Sequence, residues 1–191
     1  MLKCLLFGSL VLIAMFLIPL GGKYLRTLKT QTCYKYTLLA LYVGGILWLT
    51  LANRLGMEVS RYRFKPFYVV RQMLNCWFGF KKISAATCRA VFRNTKNLFA
   101  SAHASPVEDL LLNIVLFLPI GFLLPYVWPK FNFWKTALAG LLFSSAIEGV
   151  QYLAQWGCCD IDDVINNTLG TCIGYFCYRI YQRFTRPQKS A

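Results

Sequence analysis

Acidic residues are scarce in this chain, which has 7 Asp and Glu against 21 Lys and Arg among its 191 residues. All charged residues together make up 15% of the sequence, whereas ordinary soluble domains carry about 25%, and this shortage excludes that class. Disorder is excluded because 57% of the residues are hydrophobic and disordered chains are poor in such residues. The net charge of +14 resembles that of nucleic-acid-binding domains, but their apolar residues do not run in long blocks as they do here. We therefore expect no nucleic-acid partner.

The sequence also lacks the common signatures of catalytic and metal sites. Its one histidine, His103, lies in a predicted loop, whereas a zinc site needs several His or Cys ligands at set spacings. No nucleophile elbow, P-loop or dinucleotide-binding fingerprint is present, and we expect no cofactor. The spacing of the cysteines defines no disulfide pairing. An oxidising compartment would nevertheless permit a disulfide among the four that fall on predicted outer segments, which are Cys76, Cys88, Cys158 and Cys159.

Long apolar stretches are what the chain does contain. Five stretches are long and apolar enough to cross a bilayer core of about 30 Å, which takes about 20 helical residues. They cover residues 2–20, 36–55, 107–128, 135–156 and 163–181. These stretches predict an all-α fold, a polytopic transmembrane helical bundle. The first is longer than the apolar core of a signal peptide and no A-x-A-like site follows it, so we interpret it as a retained span, with a cleaved signal as the alternative.

The distribution of Lys and Arg among the loops predicts the orientation of these spans, because cytoplasmic loops are enriched in both residues. The tail 182–191 and the 129–134 link carry them, whereas the 157–162 link has none and ends in acidic residues. We therefore expect the C-terminus in the cytoplasm, and the N-terminus and the acidic link outside. Residues 53–105 are then outside although they are strongly basic, which is tolerated because long loops follow the rule weakly.

The basic segment 53–105 contains two patterns typical of amphipathic helices that lie in the membrane interface. The residues at helical spacing are Phe67, Val70, Leu74 and Trp77 in the first pattern, and Cys88, Phe92, Thr95 and Phe99 in the second. One interpretation is a structural hairpin on the lipid surface. The other is a basic vestibule for an anionic ligand, because the planar guanidinium of Arg binds phosphate with two bonds.

Glu148 is the most informative polar residue of the predicted spans. It falls near the middle of the fourth span, where a carboxylate costs about 3 kcal/mol on insertion scales and is expected to face the bundle interior. Ser144 and Gln151 lie on the same helix face, about one turn to either side. This face is either a functional site or a polar network that only specifies helix packing, and we favour the site.

The fifth span opens with a run of carboxylates. Asp160 is expected to cap the helix, while Asp163 and Asn167 share one helix face with Gly170 and Gly174. Glycines allow a neighbouring helix to approach closely. Because the link between the last two spans is short, we expect that neighbour to be the fourth span.

The predicted ligand-binding set combines Asn113 of the third span with polar residues of the fourth span and the start of the fifth. Its members are Asn113, Glu148, Gln151, Asp160, Asp163 and Asn167. If the protein is an enzyme, Glu148 and Asp163 are the candidates for acid and base, since paired carboxylates in a low-dielectric site suit proton transfer. Oxygen ligands of this kind would also suit Mg²⁺ or Ca²⁺. A bound divalent metal is therefore the alternative to our expectation of no metal site.

Four motifs resemble those of the VanZ-like membrane proteins. Residues 113–122 (Asn-Ile-Val-Leu-Phe-Leu-Pro-Ile-Gly-Phe) resemble the family's third-to-last helix, and residues 148–151 (Glu-Gly-Val-Gln) resemble its Glu-x-x-Gln. Residues 160–170 resemble its signature, Asp-(Ile/Val)-Asp-Asp-x-x-x-Asn-Thr-x-Gly. Pro66 and Phe67 resemble a Pro-Phe pair that follows the family's first core helix. The resemblance extends over about residues 36–178.

Two features depart from the family pattern. Gly157 stands where the family usually has an Arg, three residues before the signature, so this chain either lacks the function of that Arg or supplies a cation from the long loop. An additional span also precedes what resembles a four-helix core. We therefore divide the chain into an N-terminal helix with a basic loop (1–35), a VanZ-like membrane domain (36–181) that includes 53–105, and a basic tail (182–191).

The resemblance implies a multi-pass protein of a bacterial cytoplasmic membrane. The family is named for a protein that confers resistance to teicoplanin-type glycopeptide antibiotics. By analogy, we expect this chain to contact membrane lipids and to bind an amphiphile or an anionic, lipid-linked envelope precursor in an outward-facing polar cleft. Binding would then affect susceptibility to glycopeptides, and the glycopeptide itself is another candidate ligand. Two alternatives stay open: an intramembrane enzyme acting on a lipid or lipid phosphate, and a structural or partner protein.

Overall fold

The computed structural model describes residues 28–51, 61–63, 67, 106–156 and 158–185. Those residues form four helices and one two-stranded parallel sheet. In chain order they are α1 (Leu28–Thr50), β1 (Arg61–Arg63), α2 (Pro106–Val127), α3 (Phe133–Ala154), β2 (Cys158–Asp160) and α4 (Ile161–Thr185). The described part is mostly helical, as predicted, and the two short strands were not anticipated. The predicted first span and most of segment 53–105, including nearly all of its two amphipathic patterns, lie outside the described residues.

Two of the described helices are long and apolar enough to cross a membrane, over Leu110–Val127 in α2 and Phe133–Ala154 in α3. They correspond to the predicted spans 107–128 and 135–156. α4 begins before the predicted span 163–181 and ends after it. α1 begins at Leu28, so residues 28–35 are helical, although the sequence predicted a loop there. The physical reason is that no Gly or Pro lies in this stretch to end a helix.

α2 and α4 pack with their backbones in close contact. A Cβ atom on Gly170 would overlap the carbonyl oxygen of Ile114, and a Cβ atom on Gly174 would overlap that of Leu118. Only glycine allows this approach without pushing the helices apart. The prediction that these glycines face the fourth span is therefore wrong, because their neighbour is α2, the third predicted span.

α3 packs on an adjacent face of α4. Thr171 is fully buried there, and its side chain lies against Gly140 of α3. Gly121 of α2 meets the backbone of the same threonine. The three helices therefore meet around Thr171, and the small residues of α2 and α3 make room for this contact.

Apolar side chains cover much of the outer surface of these helices. On α3, Trp134 is 76% exposed, Leu142 is 61% exposed and Leu153 is 82% exposed. Side chains such as Phe117 and Leu123 of α2 fill the interior. A large exposed apolar surface is unfavourable in water and is typical of helices that face lipid, which agrees with a membrane protein.

The helices alternate in direction, which defines two ends of the bundle. The Tyr42 hydroxyl of α1 donates to the carbonyl of Leu116 in α2 at 2.8 Å. Near the start of α1 and the end of α2, Trp128 Nε1 donates to the Tyr36 hydroxyl at 3.0 Å. We call the end where α1 and α3 finish and α2 and α4 begin the polar end. The opposite end is the basic end.

Charge is segregated between these two ends. The acidic residues of the described helices and strands lie toward the polar end, and they are Glu108, Asp109, Glu148, Asp160, Asp162 and Asp163. The described Lys and Arg residues outside β1 lie toward the basic end, and they are Lys29, Lys35, Lys130, Lys135, Arg179 and Arg183. The Nζ of Lys35, for example, lies 4.7 Å from the ring centroid of Tyr126, near the end of α2.

Candidate functional site

A network of buried polar side chains occupies the polar end of the bundle. Glu148 of α3 is 6% exposed, and its Oε2 accepts a hydrogen bond from the backbone N–H of Asp160 at 2.9 Å. The Oδ1 of Asp160 in turn accepts from the N–H of Asp162 at 3.0 Å. This second bond is the helix cap predicted for Asp160. Together the two bonds join the end of α3 to the start of α4.

Two side-chain pairs extend the network along α4. Asn113 of α2 donates from Nδ2 to the Oδ1 of Asp163 at 2.5 Å. Ser144 of α3 accepts at Oγ from the Nδ2 of Asn167 at 2.8 Å. Each pair bridges two helices, so the polar face of α4 is held between α2 and α3.

Gln151 connects the network to α1. Its Nε2 donates to the backbone carbonyl of Thr50 at 2.9 Å, and its side chain is 2% exposed. Thr50 is the last residue of α1, where carbonyls have no partner within the helix. The Gln151 amide therefore satisfies one of these carbonyls inside the bundle.

Asn167 carries an unsatisfied polar atom. The residue is 5% exposed, and no partner for its Oδ1 lies among the described residues. Its backbone carbonyl accepts from the Thr171 hydroxyl at 3.0 Å. Leaving a buried acceptor without a donor costs about 1–3 kcal/mol, and such groups are uncommon in native structures. This atom is therefore available to accept a hydrogen bond from a donor that the structure does not include.

Part of the long loop joins the same end of the bundle. β1 pairs in parallel with β2, with Arg61 opposite Cys158 and Arg63 opposite Asp160. A few residues on, the backbone N–H of Phe67 donates to the Oδ1 of Asp162 at 2.5 Å. This pairing brings the backbone of Arg61 and Arg63 alongside the acidic link. Whether the long loop supplies a cation in place of the family Arg stays a prediction.

Phe67 has an unusual backbone conformation. Its φ angle is 57°, in the left-handed region that bulky residues rarely occupy. Phe67 itself is therefore not helical, whereas the other residues of the first amphipathic pattern lie outside the described residues. A conformation of this kind costs about 1–3 kcal/mol and persists where surrounding contacts impose it. Here the bond to Asp162 is such a contact.

The structure brings the six predicted ligand-binding residues together at the polar end. They are Asn113, Glu148, Gln151, Asp160, Asp163 and Asn167. The burial of Glu148 is as predicted from its position within a span, and so is the participation of Asn113. Their role in binding a ligand stays a prediction.

Sequence reasoning missed three further members of this buried polar group. Asp162 is 6% exposed, Asn166 is 8% exposed and Thr171 is fully buried. Asp162 and Asn166 lie within the signature run 160–170, which was the available signal. They were missed because only the series Asp163, Asn167, Gly170 and Gly174 was considered, although Asn166 lies about one helical turn after Asp162 and Asp163.

The arrangement offers carboxylate and amide groups for hydrogen bonding and proton exchange. Within the described ranges, no group of three or more His, Cys, Asp or Glu side chains is arranged to hold a metal ion. Instead, the acidic side chains accept backbone or amide N–H groups, as Glu148 and Asp163 do. A ligand at this end would therefore meet hydrogen-bonding groups held in fixed positions by several helices.

Comparison with known proteins identifies the family. A sequence profile described as VanZ/LLP1 matches residues 5–182. The chain belongs to the VanZ/LLP1 family. It is 25% identical over 152 residues to Protein VanZ of Enterococcus faecium, an alignment that covers 80% of this chain and 78% of that protein. No solved structure matches the chain.

The family motifs coincide with the network in space. The resemblance inferred from the four motifs is confirmed by the family match. Each motif places a residue at the polar end: Asn113, the Glu148–Gln151 pair, the run 160–170 and Phe67. Motifs that are far apart in the VanZ/LLP1 sequence thus form one set of contacts in this protein.

Proposed function

We propose that this protein binds an amphiphile or a lipid-linked envelope precursor in a polar cleft at the polar end of the bundle. The observation that carries the proposal is the network itself, which gathers buried carboxylates and amides of three helices, together with Phe67, at one end of an apolar bundle. Intramembrane carboxylates are costly and tend to mark functional sites. The unsatisfied Oδ1 of Asn167 is a further acceptor for a ligand donor group.

We propose that the polar end faces outward from a bacterial cytoplasmic membrane and that the C-terminus is cytoplasmic. The segregation of charge supports this orientation, because the described Lys and Arg residues outside β1 lie toward the basic end and cytoplasmic ends are rich in such residues. The headgroup of a lipid-linked envelope precursor in the outer leaflet would then meet the polar end.

The ligand we favour is anionic, and segment 53–105 recruits it. The backbone pairing of β1 with β2 supports this assignment, since it brings basic residues of the long loop to the polar end. Arg is suited to a phosphate or pyrophosphate headgroup because its planar fork makes two parallel bonds. Resistance to a teicoplanin-type glycopeptide would follow if binding changes the amount or accessibility of the precursor that the antibiotic recognises.

Antibiotic susceptibility in a bacterial host tests this proposal. We expect the wild-type protein to raise the teicoplanin concentration needed to stop growth, and Glu148→Ala and Asp163→Ala to abolish the increase. Ser145→Ala is the matched control, because Ser145 is exposed on α3 beside the buried Ser144, and it should behave as wild type. Unchanged susceptibility across the four proteins at equal membrane expression would remove the resistance function.

A second candidate is a structural role, which the geometry also favours at specific points. Glu148 and Gln151 both bond to backbone groups of other elements, as residues that only fix helix packing would. Glu148→Gln and Asp163→Asn separate the two functions, since each keeps the shape and an acceptor oxygen of the original side chain. The structural role would be favoured if both variants lose folded protein and any change in susceptibility is fully explained by the lower yield.

We propose that the site works without a resident metal. Elemental analysis of the purified protein is the direct test, and we expect no stoichiometric divalent cation. Retention of Mg²⁺ or Ca²⁺ in the wild type, and its loss in Glu148→Gln, would favour the alternative of a carboxylate-bound metal.

A further inference from the structure

Aromatic contacts at the basic end bring together two lysines from distant parts of the chain. The ring of Trp128, just after α2, contacts Tyr36 of α1 with centroids 5.8 Å apart and stacks on Phe131 at 5.6 Å. Lys35 precedes Tyr36, and Lys130 lies between the two stacked residues. Both lysines therefore lie where the start of α1 meets the link between α2 and α3, which we call the lysine corner.

The acidic residues of the described helices and strands are remote from the lysine corner. They lie toward the polar end, and the 22 residues of α2 separate the two ends by about 33 Å, well beyond the Debye length of about 8 Å at physiological salt. The Nζ of Lys35 lies 4.7 Å from the ring centroid of Tyr126, a cation–π contact that orients the ammonium group without neutralising it. Lys130 is exposed. The lysine corner is therefore suited to an anion from outside the bundle.

Tyr36 adds a hydrogen-bond donor to the lysine corner. Its hydroxyl accepts from Trp128 Nε1 at 3.0 Å, which leaves its own O–H to donate. The residue is 46% exposed, so this O–H can reach a group at the surface. Ammonium and hydroxyl groups are good donors to phosphate oxygens, and Tyr and Trp rings are enriched at the level of lipid headgroups. The combination favours the phosphate of a membrane lipid over a soluble anion.

An exposed face of α1 continues from Tyr36 toward the polar end. Ala40, Gly44 and Trp48 follow at intervals of four residues, and residues at this spacing share a helix face. Trp48 is 66% exposed, and nothing lies within 4 Å of a Cβ added to Gly44. From Tyr36 to Trp48 the helix rises about 18 Å, similar to one leaflet of a bilayer core of about 30 Å. This face, which we call the α1 outer face, therefore has the length of an acyl chain that starts at the lysine corner.

We propose that Lys35, Lys130 and Tyr36 bind the phosphate of an anionic phospholipid, whose acyl chain lies along the α1 outer face. The positive charge at one end of this face identifies the occupant. A second copy of the chain packed in parallel would bring further lysines to the corner, whereas an anionic lipid brings the missing negative charge. The site lies at the opposite end of the bundle from the proposed ligand cleft, so this inference does not rest on the proposed function.

Native mass spectrometry of the full chain in a neutral detergent tests the proposal. The probe is phosphatidylglycerol, and phosphatidylcholine with the same acyl chains is the comparison without net charge. We expect phosphatidylglycerol to bind more tightly. A basic residue near an anionic surface contributes about 1 kcal/mol, which is roughly fivefold in affinity. Lys35→Gln combined with Lys130→Gln should therefore weaken the binding of phosphatidylglycerol by about 25-fold, while Arg at both positions should retain most of it.

Arg179→Gln combined with Arg183→Gln is the matched control for charge. Both arginines are exposed on α4 toward the basic end. Each is two residues from Tyr181, which contacts Tyr126, and positions two apart in a helix point in roughly opposite directions. This pair therefore removes the same net charge away from the lysine corner, and binding should change little. An equal loss in the lysine and arginine pairs would show diffuse attraction and overturn the proposal.

Gly44→Leu tests the acyl-chain part of the site without changing the charge. The added side chain has room within the protein but covers the α1 outer face, so the variant should lose most of the phosphatidylglycerol adduct. Gly149→Leu on α3 is the matched control, because a Cβ added there also meets nothing within 4 Å, and it should bind as wild type does. Equal binding of the two lipids by the wild type, or an unchanged adduct in Gly44→Leu, would overturn the proposal. Loss of a protein dimer in that variant, with no lipid adduct in the wild type, would assign the face to a second copy instead.

Discussion

Gly170 allows the close packing of α2 and α4, and its replacement by alanine is the sharpest test of that packing. In an open helical position, Gly→Ala stabilises a helix by about 1 kcal/mol. At Gly170 the added methyl would overlap the carbonyl oxygen of Ile114. A backbone atom has no rotamer by which to move aside, so we take the upper part of the range for overpacking, about 3 kcal/mol. The expected net loss is about 2 kcal/mol.

Gly149→Ala is the matched control for this substitution. Gly149 is also helical, but nothing lies within 4 Å of a Cβ added there, so the variant should gain about 1 kcal/mol. The two variants should therefore differ by about 3 kcal/mol, which corresponds to roughly 6–12 °C in melting temperature for a chain of this size. Thermal unfolding of the purified protein in nanodiscs, followed by circular dichroism, measures the difference. Equal melting temperatures would refute the close contact between the two helices.

Two further predictions concern the polar end. Ser144→Ala should lower the free energy of unfolding by about 1–3 kcal/mol, because it leaves the Nδ2 of Asn167 without its acceptor; a similar loss in the exposed Ser145→Ala control would contradict this. Phe67→Pro should destabilise by about 3 kcal/mol, because proline has no N–H for Asp162 and cannot adopt a φ of 57°. Phe67→Ala keeps the N–H and should change stability much less, and thermal unfolding compares the two.

The burial of Glu148 could be predicted from helical periodicity alone. Its position within an apolar span, with Ser144 and Gln151 on the same face, predicted an inward-facing polar stripe, and all three are buried. The prediction worked because residues three or four apart on a helix share a face whatever the helix packs against. The helix cap at Asp160 was also predictable, because its hydrogen bond joins two residues that are only two positions apart in the sequence.

The partners of these residues were harder to predict. Gln151 bonds to Thr50 across 101 residues of sequence, and Asp162 bonds to Phe67 across 95. No local pattern encodes such a pairing, because it depends on which helices become neighbours. The predicted neighbour of Gly170 was wrong for this reason. The short link does place α3 and α4 side by side, but it does not decide which face of α4 packs against α3 and which against α2.

For this protein, the sequence and the tertiary structure determined different features. Composition and periodicity by themselves determined an apolar, mostly helical protein, the polar faces of its last helices and, through its motifs, its family, because these depend on residues close together in the chain. Tertiary structure alone decided that the glycines of α4 meet α2, that Asp162 joins the buried group and that a basic strand pairs with the acidic link. Each of these is a contact between segments distant in sequence, and such contacts are selected by the packing of the whole bundle.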